Sequence, residues 1–265
     1  MELKATRLDV DGHVATIWLH RPQRHNAWTG RMHAEYRWLL AELEANADVR
    51  VVVVTGTPPA FCVGGDSEAL AGHADRGGYD DGLPPEPARP GYGVRPEFDH
   101  DLAFTYGLRF PVIAAVNGAA AGVGLAVALY CDLRFVAAMA KITTAAPKLG
   151  LPAEYGMSWV LPRLIGVTRA ADLLLSGRAV SGADTAEWGL WNGVGGDGAA
   201  TLAMGPRLRP RVGRRRRAEG GRHDEAPALR RPVAPRRRRV ARRCAATAGR
   251  GDGHSRVPRG HRCPA

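Results

Sequence analysis

Long apolar runs and closely spaced cysteine pairs are missing from this sequence of 265 residues, and no secretory leader is expected at its start. No window holds 18 or more uninterrupted apolar residues, so no transmembrane helix is expected. The four cysteines, at positions 62, 131, 244 and 263, form no CxxC pair and show no metal-ligand spacing, which argues against a zinc site and a disulfide framework. The first residues carry scattered charges and only short apolar runs, unlike a signal peptide. We therefore expect a cytoplasmic protein that does not enter a membrane.

The net charge of +11 arises at one end of the chain. Residues 194–265 contain 20 arginines and five acidic residues, a charge of +15, so residues 1–193 carry −4. The same C-terminal segment lacks Lys, Ile, Phe, Tyr, Trp, Asn and Gln, while RRRR occurs at 214–217 and at 236–239. Arg, Ala, Gly and Pro dominate there without a 3.6-residue apolar period, so the segment predicts no packed helix.

Arg, Ala, Gly and Pro have the most GC-rich codons, which favours the hypothesis that residues 194–265 are a GC-rich gene translated out of frame. The alternatives are a disordered, solvated tail and a basic arm for nucleic acid. Nucleic-acid contacts usually include aromatic residues for stacking, and this segment has none. We expect a folded core at 1–193, a tail that is disordered or out of frame, and no nucleic-acid partner.

Strands and helices alternate in the predicted core. The segments predicted as strands are short runs rich in β-branched residues, at 14–19, 51–55, 111–116 and 133–137. Thr29 can cap a helix whose apolar residues recur at helical spacing, and a second helix is predicted around 125–129. Residues 72–100, rich in Gly, Pro and acidic residues, are expected to form a long flexible insertion. This order predicts an α/β fold with parallel strands.

Four segments, taken in order, resemble a known family. They are HRPQRHNAWTGRMHAEY (20–36), AFCVGGDSEAL (60–70), PVIAAVNGAAAGVGLAVALYCDLRF (111–135) and GLPAEYGMSWVLPRLIG (150–166), and LLLSGRAVSGADTAEWGLWN (173–192) continues the match. Together they resemble the crotonase superfamily, also called the enoyl-CoA hydratase/isomerase family. The resemblance implies a spiral of ββα units assembled as a homotrimer or as a hexamer of two trimers. It also implies acyl-CoA substrates, with coenzyme A as part of the substrate and no separate cofactor or metal.

An acyl thioester that reacts at its α or β carbon passes through an enolate, whose negative oxygen needs fixed hydrogen-bond donors. Two backbone N–H groups from separate turns can supply them. The resemblance assigns these donors to Gly65, in the 60–66 turn, and to Val123, at the start of the predicted second helix. Gly64 and Gly122 suit turns in which the backbone approaches a ligand closely. The alternative is that these glycines serve only turns and packing.

The two glutamates of the family's hydratases are missing. Alignment with the family pattern places them at Ala126 and Ala146. A methyl side chain neither transfers a proton nor positions a water molecule. Water addition by the two-glutamate mechanism is therefore not expected.

Glu154, in GLPAEYGMSW (150–159), is the predicted acid/base. The segment resembles the GLxADxG motif of dienoyl-CoA isomerases, in which the acid transfers protons, and a dehalogenase branch carries a nucleophilic aspartate at the same offset. Neighbouring Tyr155 and Trp159 are expected to desolvate the carboxyl group partly and to raise its pKa. The alternative is an exposed glutamate that begins a helix at 154–161.

The resemblance also places a set of residues at the substrate. The predicted substrate-binding residues are Arg24, Ala27, Val63, Asp66, Ser67, Gly122 and Ala146. Arg24 lies where the family often has a basic residue near the coenzyme A phosphates, and a solvated arginine is the alternative. Asp66 is also expected to cap a helix at 67–71.

Other side chains are expected to have supporting roles. The three histidines expected to be structural or exposed are His20, His25 and His33. Cys62 and Cys131 are expected to fill small buried spaces. The tyrosines that are candidates to border the acyl pocket are Tyr79, Tyr92 and Tyr106.

Double-bond isomerisation of an unsaturated or branched acyl-CoA is the expected function, because it needs only one acid/base to move a proton between carbons. The alternatives are a hydratase-like reaction, a hydrolytic or C–C-cleaving (lyase) reaction, and binding of acyl-CoA without catalysis. Each of these functions belongs to acyl-CoA and fatty acid metabolism.

Overall fold

The computed structural model describes residues 1–68, 102–153 and 155–207, and these form a mixed α/β structure. In chain order, the strands are β1 (Thr6–Asp11), β2 (Val14–Leu19), β3 (Val51–Gly56), β4 (Val112–Val116), β5 (Ala120–Ala121), β6 (Leu133–Ala137), β7 (Lys141–Thr143), β8 (Val180–Ser181) and β9 (Gly193–Gly195). The α-helices are α1 (Gly30–Ala45), α2 (Val123–Leu129), α3 (Met157–Ile165), α4 (Val167–Ser176), α5 (Gly182–Glu187) and α6 (Gly198–Arg207). Short 3₁₀ helices occupy Pro22–Arg24, Ala103–Gly107 and Ala146–Leu149.

The strands form two sheets. The larger has the order β1-β2-β3-β4-β6-β9, and all its neighbours are parallel except the antiparallel β1–β2 pair. The smaller has the order β5-β7-β8. All residues of β3 and β4 are buried, as their continuous apolar runs predict for strands covered on both faces. The predicted strands at 14–19, 51–55, 111–116 and 133–137 are confirmed, with β4 beginning one residue after Pro111.

Helix α1 begins where the sequence predicts. Thr29 has extended backbone angles, and its hydroxyl oxygen accepts a hydrogen bond from Met32 N at 3.1 Å, so it is a side-chain N-cap. The buried side chains that pack this helix on the sheet are Met32, Glu35, Tyr36, Leu39, Leu40, Ala41 and Leu43. The apolar periodicity therefore identified the helix and its buried face.

Helix α6 and strand β9 correct the expected boundary at residue 193. Strand β9 continues the large sheet through residues 193–195, which pair with β6. Leu202 and Met204 of α6 pack on the second apolar cluster, whose buried members are Val14, Val51, Val53, Ile113, Ala115 and Phe135. The helix escaped prediction because its most buried described residues, Thr201 and Gly205, are small and show no apolar period. The folded core thus continues at least to residue 207.

Several predictions fall outside the described residues. They are the 72–100 insertion with Tyr79 and Tyr92, the acid Glu154, and the tail beyond residue 207. The helix expected at 154–161 is α3, which begins at Met157 and continues to Ile165. Within the described ranges, no helix has both the length and the apolarity needed to cross a lipid bilayer.

Candidate active site

Two loops lie against each other at one edge of the large sheet. Because β3 and β4 are parallel neighbours, the loops that leave their carboxyl ends, 57–66 and 117–122, emerge on the same side. Backbone hydrogen bonds join them: Phe61 N and Cys62 N donate to Ala119 O at 3.1 and 3.0 Å, and Ala121 N donates to Cys62 O at 3.0 Å. The fold thus brings together the two predicted oxyanion turns.

Glycine permits this close approach of the two loops. A Cβ atom added to Gly124 would overlap the carbonyl oxygen of Cys62. Gly64 has a φ of +106°, and a Cβ there would be strained as well as 3.3 Å from Ala121 O. Glycine is therefore needed in these turns because the two backbones pack closely against each other.

The N–H groups of Gly65 and Val123 are both available as donors. In the part of the chain that the structure describes, neither N–H has a hydrogen-bond acceptor. Val123 is the first residue of α2, where a backbone N–H has no partner within the helix. An enolate oxygen requires two such donors directed at the same point.

The peptide units around Gly65 are fixed by the segment before α1. Trp28 N donates to Gly64 O at 2.7 Å, and Asp66 N donates to Trp28 O at 2.9 Å, so the two bonds flank Gly65. Trp28 is itself buried in the main core. The Gly65 amide is thus held by the same core that positions α1.

A charged cluster lies directly beside Gly65. The Asp66 carboxylate is buried and is 2.9 Å from Arg21 Nη1 and 3.4 Å from Arg24 Nη2. Arg24 also contacts Glu68 at 3.2 Å. Asp66 Oδ1 accepts a hydrogen bond from Glu68 N at 3.0 Å, the contact expected of a helix N-cap. Both carboxylate oxygens of Asp66 therefore serve contacts within the protein.

The remaining predicted substrate-binding residues lie close to the two loops in the fold. Ala27 is buried, whereas Val63 and Ser67 are exposed. Gly122 has a φ of +48°, and its N–H donates to Thr143 O at 3.2 Å. That bond connects the second oxyanion loop to β7, whose following 3₁₀ helix contains Ala146.

At the two hydratase positions the side chains are buried methyl groups. Ala126 lies inside α2 with no exposed surface, and Ala146 is 6% exposed. Glu35 is a buried carboxylate, but it accepts hydrogen bonds from Lys4 N, Ala5 N, Thr6 Oγ1 and Arg31 Nε and thereby fixes the N-terminal segment to α1. Glu35 therefore does not replace either missing glutamate.

The histidines and cysteines near the loops have structural contacts. His20 Nδ1 is 2.9 Å from Thr57 Oγ1, and the His33 ring packs edge-on to Trp28 at 6.0 Å between centroids. Burial, with a smaller contribution from the nearby Arg37 charge, lowers the pKa of His33 to about 4. Burial raises the pKa of Cys62 to about 12 and also raises the pKa of Cys131, so both thiols remain protonated at neutral pH.

Sequence reasoning missed Arg21 and Asn26. The Asn26 side chain is fully buried, and its amide nitrogen donates to Thr57 O and Ala60 O at 2.7 and 2.8 Å. Its amide oxygen accepts from Arg21 N at 2.9 Å. The available signal was a loop that contains Arg-Pro followed by Asn. Asn26 has a φ of +58°, in the left-handed region, which Asn adopts more readily than most residues.

Comparisons with known proteins agree with the fold. Residues 9–200 match the enoyl-CoA hydratase/isomerase family. The probable enoyl-CoA hydratase EchA14 of Mycobacterium tuberculosis H37Rv is 38% identical over 207 residues, covering 77% of this chain and 76% of the relative. The 1,2-epoxyphenylacetyl-CoA isomerase of Escherichia coli K12 is 35% identical over 198 residues, covering 74% of this chain and 71% of the relative.

A solved structure extends this similarity to three dimensions. The crystal structure of a probable enoyl-CoA hydratase/isomerase from Mycobacterium abscessus superimposes with a TM-score of 0.63 at 32% identity, covering 77% of this chain and 72% of that one. The fold is therefore that of the crotonase superfamily. Within it, the chain belongs to the enoyl-CoA hydratase/isomerase family.

Proposed function

We propose that the protein binds an acyl-CoA thioester and stabilises the enolate formed from it. The observation that carries this proposal is the pair of N–H groups without an acceptor in the described part of the chain: that of Gly65, in loop 57–66, and that of Val123, which directly follows loop 117–122 at the start of α2. Direct hydrogen bonds join the two loops. In this proposal both donate to the thioester oxygen and strengthen as its negative charge develops. Coenzyme A is part of the substrate, and the chemistry uses no metal or redox cofactor.

The reaction we propose is double-bond isomerisation with Glu154 as the acid/base. A carboxylate removes a proton from one carbon, the C–H electron pair enters the conjugated system as the enolate, and the carboxyl group returns the proton at another carbon. One acid/base suffices for this reaction, whereas the alanines at 126 and 146 remove both groups used in two-glutamate hydration. The name of the Escherichia coli relative, an isomerase, supports this choice, although EchA14 is named a probable hydratase.

The residues on either side of Glu154 in the sequence contact the apolar core. Ala153 and Tyr155 are both half-buried and pack against the main core. Tyr155 and Gly156 both have positive φ values, and the hydroxyl oxygen of Tyr130 lies 2.5 Å from the position that a Cβ of Gly156 would take. A non-glycine residue in the left-handed region costs free energy, and such positions are frequent near functional sites.

The test is an acyl-CoA panel assayed by chromatography and mass spectrometry with the wild type, Glu154→Gln and, as a control, Glu187→Gln. Glu187 is an exposed glutamate at the end of α5. Isomerisation moves the product in the chromatogram without changing its mass, whereas hydration adds one water and hydrolysis releases coenzyme A. We expect an isomerised product that Glu154→Gln reduces by about 10²–10⁴-fold and Glu187→Gln leaves unchanged.

Binding of acyl-CoA without catalysis is the second candidate, and the two buried alanines favour it. Binding without turnover by the wild type would establish that candidate. Turnover that Glu154→Gln does not affect would remove Glu154 from the mechanism. A hydrated, hydrolysed or C–C-cleaved product would identify one of the alternative reactions.

Assembly as a homotrimer or hexamer in the cytoplasm is part of the same proposal. Large apolar side chains are exposed on α3, α4 and the preceding segment: Leu149, Leu151, Trp159, Val167 and Leu175. Leu175 is 80% exposed, which is costly for an isolated protomer in water. A neighbouring subunit would remove this surface from solvent.

A further inference from the structure

We infer that the ion pair between Arg21 and Asp66 positions the Gly65 amide for hydrogen bonding to the substrate oxygen. This inference rests on the proposed function, because it assigns Gly65 N–H a ligand. Neither charged group is expected to touch the reacting atoms. Both are therefore positioning residues.

The Arg21 guanidinium group contacts two backbone segments: the one that contains Ala27 and Trp28, and the one that contains Gly65 and Asp66. Arg21 Nη1 donates to Ala27 O at 2.6 Å and to Asp66 Oδ2 at 2.9 Å. Arg21 Nη1 therefore links Ala27, which precedes Trp28, to Asp66, which follows Gly65.

In the described part of the chain, two backbone hydrogen bonds form the bridge beside this nitrogen. They are the Trp28 N to Gly64 O and Asp66 N to Trp28 O bonds, at 2.7 and 2.9 Å. A bridge this short fixes its register weakly by itself. A buried charge-assisted contact beside it restricts rotation of the peptide unit whose N–H belongs to Gly65.

Burial strengthens the Arg21–Asp66 contact. The Asp66 side chain is 3% exposed and that of Arg21 is 21% exposed, so water competes little for the Arg21–Asp66 contact. Arg24 is a weaker partner: its distance to Asp66 is 3.4 Å, its side chain is 38% exposed, and it also contacts Glu68. The structure therefore assigns the positioning role to Arg21 rather than to Arg24.

The direct test measures how strongly the bound thioester carbonyl is polarised. The probe is butyryl-CoA with a ¹³C-labelled carbonyl, a saturated thioester without a double bond to move, observed by difference infrared spectroscopy on the full chain. Hydrogen bonds from Gly65 and Val123 lower the carbonyl stretching frequency in the wild type. We expect Arg21→Met and Asp66→Asn to lose more than half of that shift while butyryl-CoA still binds.

Two further variants separate positioning from folding. Arg21→Lys keeps the charge next to Asp66 but cannot form the same fork of bonds, so it is expected to lose part of the shift. The exposed pair Arg7–Asp9 on edge strand β1, at 3.0 Å, supplies the control variants Arg7→Met and Asp9→Asn, which should leave the shift unchanged. Circular dichroism and thermal melting establish that each variant is folded.

A double-mutant cycle tests whether Arg21 and Asp66 act as one unit. If they do, Arg21→Met combined with Asp66→Asn loses no more of the shift than either change alone. Where the protein turns over a substrate, we expect kcat to fall about 10–10²-fold with KM changed less than about threefold, because the donor acts mainly in the transition state.

The outcomes separate this inference from the proposed function. A shift in the wild type that persists in folded Arg21→Met, Asp66→Asn and Arg21→Lys would overturn the inference and leave the proposed function standing. No shift in the wild type on bound butyryl-CoA would overturn the proposed function, and the inference with it. If Arg21→Met or Asp66→Asn fails to fold, Arg21→Lys decides: a full shift in that folded variant rejects the positioning role.

Discussion

At the scale of single residues, buried charge in this protein is compensated by short-range contacts from distant segments. Glu35 has no exposed surface, and four hydrogen-bond donors surround its carboxylate. Burial alone would raise its pKa, but the hydrogen bond from Arg31 and those from the N-terminal segment outweigh it and keep the pKa below the usual value. Neither its partners nor its burial is evident from the helix sequence, because three of the four donors come from residues 4–6.

His33 is expected to make folding stability depend on pH. Its pKa is about 4 in the folded protein and about 6.5 when unfolded, so between these values the unfolded chain binds the proton and the folded one does not. This contribution to the free energy of unfolding is therefore lost as pH falls through that window. From pH 7 to pH 5 the expected loss is up to about 2 kcal/mol.

The measurement for His33 is urea denaturation of the wild type and His33→Gln at pH 7 and pH 5. Glu35 is present in both proteins, so the difference between the wild type and the variant isolates the histidine. The variant should lose less stability on acidification than the wild type. Equal losses would show that His33 is protonated freely in the folded state.

At the scale of elements, the two oxyanion loops depend on how closely their backbones approach. The sequence predicted the flanking strands β3 and β4 from their apolar runs, and it predicted that the second turn precedes a helix. It also identified glycine as the residue suited to these turns. The particular contact between Gly124 and Cys62 O became evident only when α2 was seen beside the first loop.

Replacing Gly124 by alanine is expected to push the two loops apart. Its Cβ would overlap Cys62 O, a backbone atom that cannot move without moving the loop. Gly124→Ala should lower the free energy of unfolding by about 1–3 kcal/mol and weaken the polarisation of bound butyryl-CoA. Thermal melting and infrared spectroscopy measure the two effects.

Gly196→Ala is the matched control for this change. Gly196 has no heavy atom within 4 Å of an added Cβ and lies in the link between β9 and α6. It should leave both stability and carbonyl polarisation close to those of the wild type. If Gly124→Ala behaves in the same way, the loops are less tightly packed than their contacts indicate.

At the scale of the whole molecule, the end of the folded core is set by α6. Leu202 and Met204 cover the face of the large sheet formed by the second apolar cluster, and a Cβ added to Gly205 would lie 3.4 Å from the Val53 side chain. A chain that ends at residue 193 lacks this cover and β9. Its sheet would expose six otherwise buried apolar side chains.

Two truncated chains test this boundary. The chain ending at residue 193 is expected to aggregate or to melt many degrees below the full chain. The chain ending at Arg207 keeps every described contact, and the Arg-, Gly-, Ala- and Pro-rich composition beyond it predicts no further apolar core, so its melting temperature should stay within a few degrees. If the two truncated chains have similar melting temperatures, the folded core ends at residue 193.

The sequence by itself determined the local features of the protein. Continuous β-branched runs predicted β3 and β4, helical periodicity and Thr29 predicted α1, and the ordered motifs predicted the family that the comparisons then established. These features depend on neighbours a few residues apart, so pattern and composition are sufficient to find them. The alanines at 126 and 146 belong to the same class, because their lack of a proton-transfer group is a property of the residue itself.

Only the tertiary structure decided which distant residues meet. Arg21 and Asp66 are 45 positions apart, and Asn26 reaches Ala60 over 34. Helix α6 lies against β3, β4 and β6, and β3 begins 147 residues before it (198 − 51). Such contacts leave no periodic pattern in the sequence. A buried polar group needs a partner at a particular point in space. Packing, rather than distance along the sequence, determines which residue lies at that point.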